Sequence, residues 1–195
     1  MAAVFTIRSY EPADEVGWLR CRLLSFFGSA FWDDVQREKD RYPQPAVELV
    51  AEDGGEIVGL LDLEVELKPG VLADRPGCGG MIWSLAVHPD HQRQGIASAL
   101  LEEAERRGRE RGLERLEAWT RDDEHVQRWY ETHGFVLIDG YLHVYLERDD
   151  LPALDGQLGE LRLIKAFAHY NGDRPEEIRQ RYGRVHDDVL YEKQL

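Results

Sequence analysis

The sequence predicts a single mixed α/β domain: a central sheet of about seven strands with flanking helices, its fourth and fifth strands parallel. Three observations predict it. A strand hairpin closes on Gly54-Gly55, an apolar strand runs through a polar loop into an amphipathic helix and another strand, and the chain is sized for one core. At 195 residues, with 43% hydrophobic and 32% charged residues, it is long enough to fill that core and short of two ordinary domains.

Val4 to Ser9 alternates as a first strand, and Glu11-Pro12-Ala13-Asp14 opens a helix through Trp18, Leu19, Leu23 and Phe27. Phe31, Trp32 and Val35 suggest a second short helix, ended by Tyr42-Pro43-Gln44-Pro45. The hairpin VELVAED-GG-EIVGLLDLEVEL gives strands two and three. In the latter, Ile57, Leu61, Leu63 and Val65 share the core face, while Asp62, Glu64 and Glu66 are expected on a solvated face. Pro69 to Gly80 reads as a loop, and MIWSLAVHP as strand four.

Ile96 to Arg111 repeats small and apolar residues at helical spacing, with Glu and Arg on the other face. LERLEAWT is strand five, and the intervening helix makes it parallel to strand four. Asp122-Asp123-Glu124 is suited to starting a short helix with Val126, Trp129, Tyr130 and His133 on one side, stopped at Gly134. FVLIDGYLHVYLE supplies further strand. LGELRLIKAFAHY is ambiguous, RPEEIRQRYG reads as a helix with Pro175 near its start, and DDVLYEKQL as the closing strand.

Composition excludes several functions. Lys and Arg number 24 against 38 Asp and Glu, a formal charge of −14, the wrong sign for a nucleic-acid binder. A cationic acceptor is electrostatically compatible. The N-terminus lacks the pattern of a secretory leader and no run approaches a membrane span, so the chain reads as soluble and cytoplasmic, without a membrane partner. Cys21 and Cys78 are too few for a disulfide framework, lack metal-ligand spacing, and are expected as reduced thiols.

The chemistry concentrates at AVHPDHQRQGIASALL. A strand that runs through a glycine-containing loop into a helix presents unpaired backbone N–H groups at the positive end of the helix dipole, a place that binds phosphate. Neither nucleotide loop fits, because GxxxxGK[ST] and GxGxxG are both absent here. What remains is Gln92-x-x-Gly95-x-Ala97, preceded by Leu85-Ala86-Val87-His88-Pro89.

This run resembles the acetyl-coenzyme A loop of the GCN5-related N-acetyltransferases, Arg/Gln-x-x-Gly-x-Gly/Ala, and WYETHGF resembles that family's aromatic-Tyr-Glu-x-x-Gly-Phe landmark. The resemblance covers about residues 4 to 148 and the last strand; about 150 to 185 looks like an insertion in one domain spanning 1 to 195. It implies acetyl transfer from acetyl-CoA to a primary amine, a small molecule by preference, by direct attack in a ternary complex without metal. The alternatives are acetylation of protein N-termini or lysines, and a non-catalytic acyl-CoA sensor or interaction module.

The resemblance also implies roles. Backbone N–H groups of Arg93, Gln94, Gly95, Ile96, Ala97 and Ser98 would hold the pyrophosphate, with Gln92 opening the motif. Leu85, Ala86 and Val87 would run along pantetheine, the Ala86 N–H serving as oxyanion donor, and Tyr130 would be the general acid. Strand four carries no carboxylate, so the base is unassigned among His88, Asp62, Glu64, His125 and water, and Asp123 stands where the family has Asn. Trp32, Asp33 and Asp34 are expected to rim the acceptor site. Phe167, His169 and Tyr170 either cover that cleft or make a homodimer contact.

Overall fold

The computed structural model describes residues 5–147, 150–151 and 163–195. Within them run β1 (Thr6–Ser9), α1 (Glu15–Phe27), β2 (Ala46–Asp53), β3 (Glu56–Val65), β4 (Gly79–Val87), α2 (Ile96–Glu110) and β5 (Arg115–Thr120). There follow α3 (Glu124–Thr132), β6 (Val136–Glu147), β7 (Lys165–Tyr170), α4 (Pro175–Arg181) and β8 (Arg184–Gln194). The strands form one sheet in the order β1-β2-β3-β4-β5-β8-β6-β7. Among the described strands only β4 and β5 pair in parallel, as the intervening helix requires.

The two faces of the sheet have different covers. Leu49, Leu61, Leu63, Leu116 and Ala118 point to one face, where Ile96, Leu100, Leu101 and Ala104 of α2 and Tyr130 and Phe135 of the α3 region complete the main core. Leu60, Val50 and Ala86 point to the other and meet Trp18 and Cys21 of α1. Gly59 lets α2 approach: a Cβ there would lie 2.6 Å from Ile96 Cγ2 and 3.1 Å from Leu100 Cδ1. The first turn of α2 is thereby seated on β3.

Several expectations change. No helix forms around Phe31, Trp32 and Val35; residues 29–33 make turns. Side chains pin this stretch in place of helical bonds: Arg22 Nη2 donates to Asp34 Oδ2 at 2.6 Å, Ala30 N donates to Asp123 Oδ2 at 2.9 Å, and Arg121 Nη1 donates to the Ala30 carbonyl at 2.7 Å. Asp123 therefore serves that loop and makes no side-chain cap for α3.

The polar face of β3 is not solvated. Asp62, Glu64 and Glu66 are 0%, 2% and 1% exposed. The ambiguous apolar run becomes β7, an eighth strand at the edge beyond β6, and α4 starts at Pro175 as expected. These elements are the described part of the 150–185 insertion. Val4 and most of the run LGELRL lie outside the described residues, and no described helix is long and apolar enough to cross a membrane.

Candidate functional site

The sheet is parted at its centre. β4 stays paired with β3 as far as Val87↔Gly59, but its pairing with β5 ends at Ile82↔Ala118. A bulge at Trp83 starts the divergence: Asp62 pairs with Ser84 and Leu63 with Ile82, leaving Trp83 as the extra residue. From Trp83 to Val87 one edge of β4 faces a gap instead of a neighbouring strand.

The ladder fixes which groups line that gap. His88 N donates to the Val58 carbonyl, so residues 88, 86 and 84 turn their peptide groups to β3, and Leu85 and Val87 turn theirs to the open edge. The Val87 carbonyl confirms the alternation by accepting from Ser25 Oγ at 2.8 Å and Gln92 Nε2 at 3.3 Å. The oxyanion role expected of Ala86 is therefore corrected: its N–H belongs to the β3 ladder and its side chain to the α1 core. Leu85 and Val87 carry the available donors.

The loop expected to receive phosphate lies at the end of the same gap. Arg93 and Gly95 both adopt left-handed backbone, with φ of 63° and 85°. Gly95 is the N-cap of α2 and makes no side-chain cap bond, so the first N–H groups of the helix are left for another acceptor. A Cβ at Gly95 would meet nothing within 4 Å, which makes its backbone angle the reason for glycine. Gln92, Arg93, Gln94 and Gly95 are exposed, Ala97 and Ser98 half-buried, and Ile96 buried in the core.

Ser98 is already engaged. His133 Nδ1 lies 2.8 Å from the Trp129 carbonyl and must donate to it, which leaves Nε2 to accept from Ser98 Oγ at 2.8 Å. His133 stacks on Trp129 at 4.1 Å, and Trp129 meets Tyr130 edge-on at 5.2 Å. This chain joins the phosphate loop to the helix bearing the expected acid. Tyr130 is 6% exposed, packed on Phe135 and Tyr191, and burial pushes its hydroxyl well above the ordinary phenol range. It stays a proton donor at neutral pH.

On the opposite face, next to α1, stand the side chains of Trp83, Glu117, Trp119, Tyr141 and Asp188. The carboxylate missing from β4 appears one strand over: Glu117 pairs in register with Met81, and both point to this face. Glu117 Oε1 accepts from Arg115 Nε at 2.6 Å, while its buried Oε2 has no hydrogen-bond partner. Glu117 was not a candidate in the sequence, because nothing in LERLEAWT shows that register sets its fifth residue beside the bulge.

The other candidates for a base are less well placed. Asp62 Oδ2 is taken by Tyr42 and Lys39, each at 2.9 Å, and burial pushes its carboxyl up. Glu64 accepts from Gln44 N at 2.8 Å and from Trp83 Nε1 at 2.7 Å. His88 caps its own turn by accepting from Asp90 N, and His125 is exposed on α3.

The expected acidic rim is also corrected. Asp33 receives two hydrogen bonds from Arg184, at 2.8 and 3.1 Å, which hold its carboxyl down at about 2. Asp34 pairs with Arg22, and the Arg184 guanidinium lies 4.6 Å from the Trp32 ring centre. These residues strap the loop after α1 to the start of β8, so Asp33 and Asp34 stand there as ion-paired acids. Among the described residues no cluster of three or more His, Cys, Asp or Glu is placed to hold a metal.

A sheet parted beside an uncapped helix N-terminus, with a buried phenol on one side and a carboxylate on the other, defines an acyl-transfer enzyme. The comparisons agree. Residues 10–135 match the model of the acetyltransferase (GNAT) family, and the chain belongs to that family. Acetyltransferase SG1711 of Sodalis glossinidius is 30% identical over 128 residues, covering 64% of this chain and 80% of its own. Among solved structures, the ribosomal-protein-alanine N-acetyltransferase of Brucella melitensis aligns over 97% of this chain and 99% of its own, with a TM-score of 0.62 at 18% identity. The yncA protein of Salmonella typhimurium, solved with its cofactor acetyl-CoA, also gives 0.62 at 18% identity, covering 98% of this chain and 94% of its own. At these identities the structures attest the fold, and the sequence relatives the acetyltransferase class.

Proposed function

We propose that this protein transfers an acetyl group from acetyl-CoA to a primary amine of a small molecule, by direct attack in a ternary complex. The observation that carries the reading is the gap between β4 and β5, reached by the phosphate loop from the α2 face and by an amine from the α1 face. Backbone N–H groups from Arg93 to Ser98 receive the diphosphate at the positive end of α2. The open edge of β4 binds pantetheine as an added strand would, and the Leu85 or Val87 N–H faces the thioester oxygen as charge grows on it.

The protons then balance. Glu117 takes one from the ammonium through a water, the free amine forms its bond to the acyl carbon as the carbon–sulfur bond breaks, and Tyr130 protonates the departing sulfur. The second proton shed by the nitrogen returns through water to the Tyr130 oxygen, so the one proton released overall leaves from Glu117 to solvent. No residue of the chain is acylated. On this reading the enzyme is cytoplasmic and acts without nucleic acid, membrane or metal.

Calorimetric titration with acetyl-CoA, CoA and adenosine 3′,5′-bisphosphate, followed by thiol-release assays with amines, tests the proposal. Saturable binding that weakens when the pyrophosphate-pantetheine portion is missing, with amine-dependent thiol release, is the expected result. No binding at millimolar concentration sinks it.

A further inference from the structure

Resting on that reading, we infer that the acceptor is a primary amine carried on a flat, apolar body, and that Trp83 and Trp119 select it. Trp83 sits at the bulge and Trp119 directly follows Ala118, the last β5 residue to pair with β4, so the two indoles flank the mouth of the gap. Both project to the α1 face: Trp83 through its bond to Glu64, Trp119 by alternation from core-facing Ala118. Trp83 is 51% exposed although its indole N–H is fixed on a buried carboxylate, so a large apolar ring is held rigidly toward solvent. Trp119 continues into a row of rings, 5.1 Å from Tyr141, which stacks on His169 at 4.0 Å.

Charge separates this class from a polycation. A diamine needs a carboxylate for the ammonium that does not react, and the acids on this face already have partners on at least one oxygen. Glu64 holds Trp83, Asp62 holds Lys39 and Tyr42, Asp188 accepts from Tyr141 at 3.2 Å, and Asp33 is bound by Arg184. Glu117 and Asp62 each keep one buried oxygen without a hydrogen-bond partner while the other meets Arg115 or Lys39, and of the two Glu117 stands on β5 where the gap begins, so it is the one left for the reacting nitrogen. What the face offers beyond it is aromatic surface, continuous with the gap, which favours a ring over a second charge.

The experiment compares 2-phenylethylamine, putrescine and an alanine-initiated tripeptide at saturating acetyl-CoA, followed by thiol release. The expected result on the wild-type chain is a kcat/KM for 2-phenylethylamine at least tenfold above either competitor. Trp119→Ala and Trp83→Ala should raise its KM about tenfold, with the KM for acetyl-CoA moving less than twofold, and Trp119→Phe should restore most of the loss. A preference for putrescine or the peptide overturns the assignment while leaving acetyl transfer intact. Thiol release with none of the amines, despite acetyl-CoA binding, overturns the transfer reading and this one with it. The acceptor ranking needs no variant, so it decides even if a tryptophan substitution fails to fold.

Discussion

Lys39 Nζ lies 2.9 Å from Asp62 Oδ2, with the lysine side chain 4% and the aspartate 0% exposed. Glu48 Oε1 completes the ion cluster at 2.5 Å, and the rings of Tyr10, Trp18 and Tyr42 stand 5.0 to 5.2 Å from the ammonium. An irregular loop is thus fastened to the sheet by a buried charge. Lys39→Met should destabilise the fold by about 3–5 kcal/mol, because Asp62 is left buried and uncompensated. Adding Asp62→Asn should return part of that loss, and denaturant unfolding of the four chains checks it. Strictly additive effects would contradict the pairing.

Tyr130→Phe removes the proton that the proposed mechanism gives to sulfur and leaves the loop before α2 untouched. We expect kcat to fall about 10²-fold or more, with acetyl-CoA affinity by calorimetry within about twofold. An unchanged kcat would show that the phenol is only a core ring.

Gly95→Ala adds no clash, since space around it is open, and its whole cost is the left-handed backbone. At about 1–2 kcal/mol the Kd for acetyl-CoA should rise about tenfold, and Gly95→Asn, which tolerates that conformation better, should rise less. Equal affinities for all three chains would remove the loop from the binding site.

His143 is 7% exposed, and burial, aided by Arg121, His169 and His186, lowers its pKa to about 4, with Asp33 pulling the other way. The unfolded chain binds this proton near pH 6.5 and the folded one only near pH 4, so stability should fall as pH drops through that window and level off below it. His143→Phe, which keeps the stacking on Phe167, should flatten this limb of a urea-midpoint profile against pH. A limb of the same slope in both chains would refute the assignment.

Arg184→Gln should free the strap held through Asp33 and Trp32. Hydrogen exchange at residues 29–35 should then lose about tenfold protection, while α2 exchanges as before. Unaltered exchange there would mean that other bonds, such as Asp123 to Ala30, suffice.

How much of this was legible depended on how local each signal was. The β2–β3 hairpin, α2, α3 and the glycine turn that opens α2 were readable because period, turn residues and glycine act within a few positions. The parallel β4–β5 pair followed from the helix between them. Four features came from long-range partners that no window of sequence shows. The acids of β3 look like a wetted face until Lys39, Trp83 and Arg115 arrive to bury them. Phe31, Trp32 and Val35 have helical spacing, but Asp33 and Asp34 are claimed by Arg184 and Arg22. Glu117 became a candidate base only through its register beside Met81, and Ala86 lost its expected role only through the alternation of the ladder.

The parted seam between β4 and β5 has a consequence for the protein before it meets any substrate. Most sheets keep their adhesive unpaired backbone at the rim, where charge or a covering loop can guard it. This one keeps such an edge at its centre, between two strands already committed to the same sheet. A ligand that lies along the seam supplies hydrogen bonds that a further strand would have made, and so completes the sheet. If acetyl-CoA binds as proposed, the last piece of this architecture is a small molecule, and the two halves of the sheet should resist unfolding more firmly when it is bound.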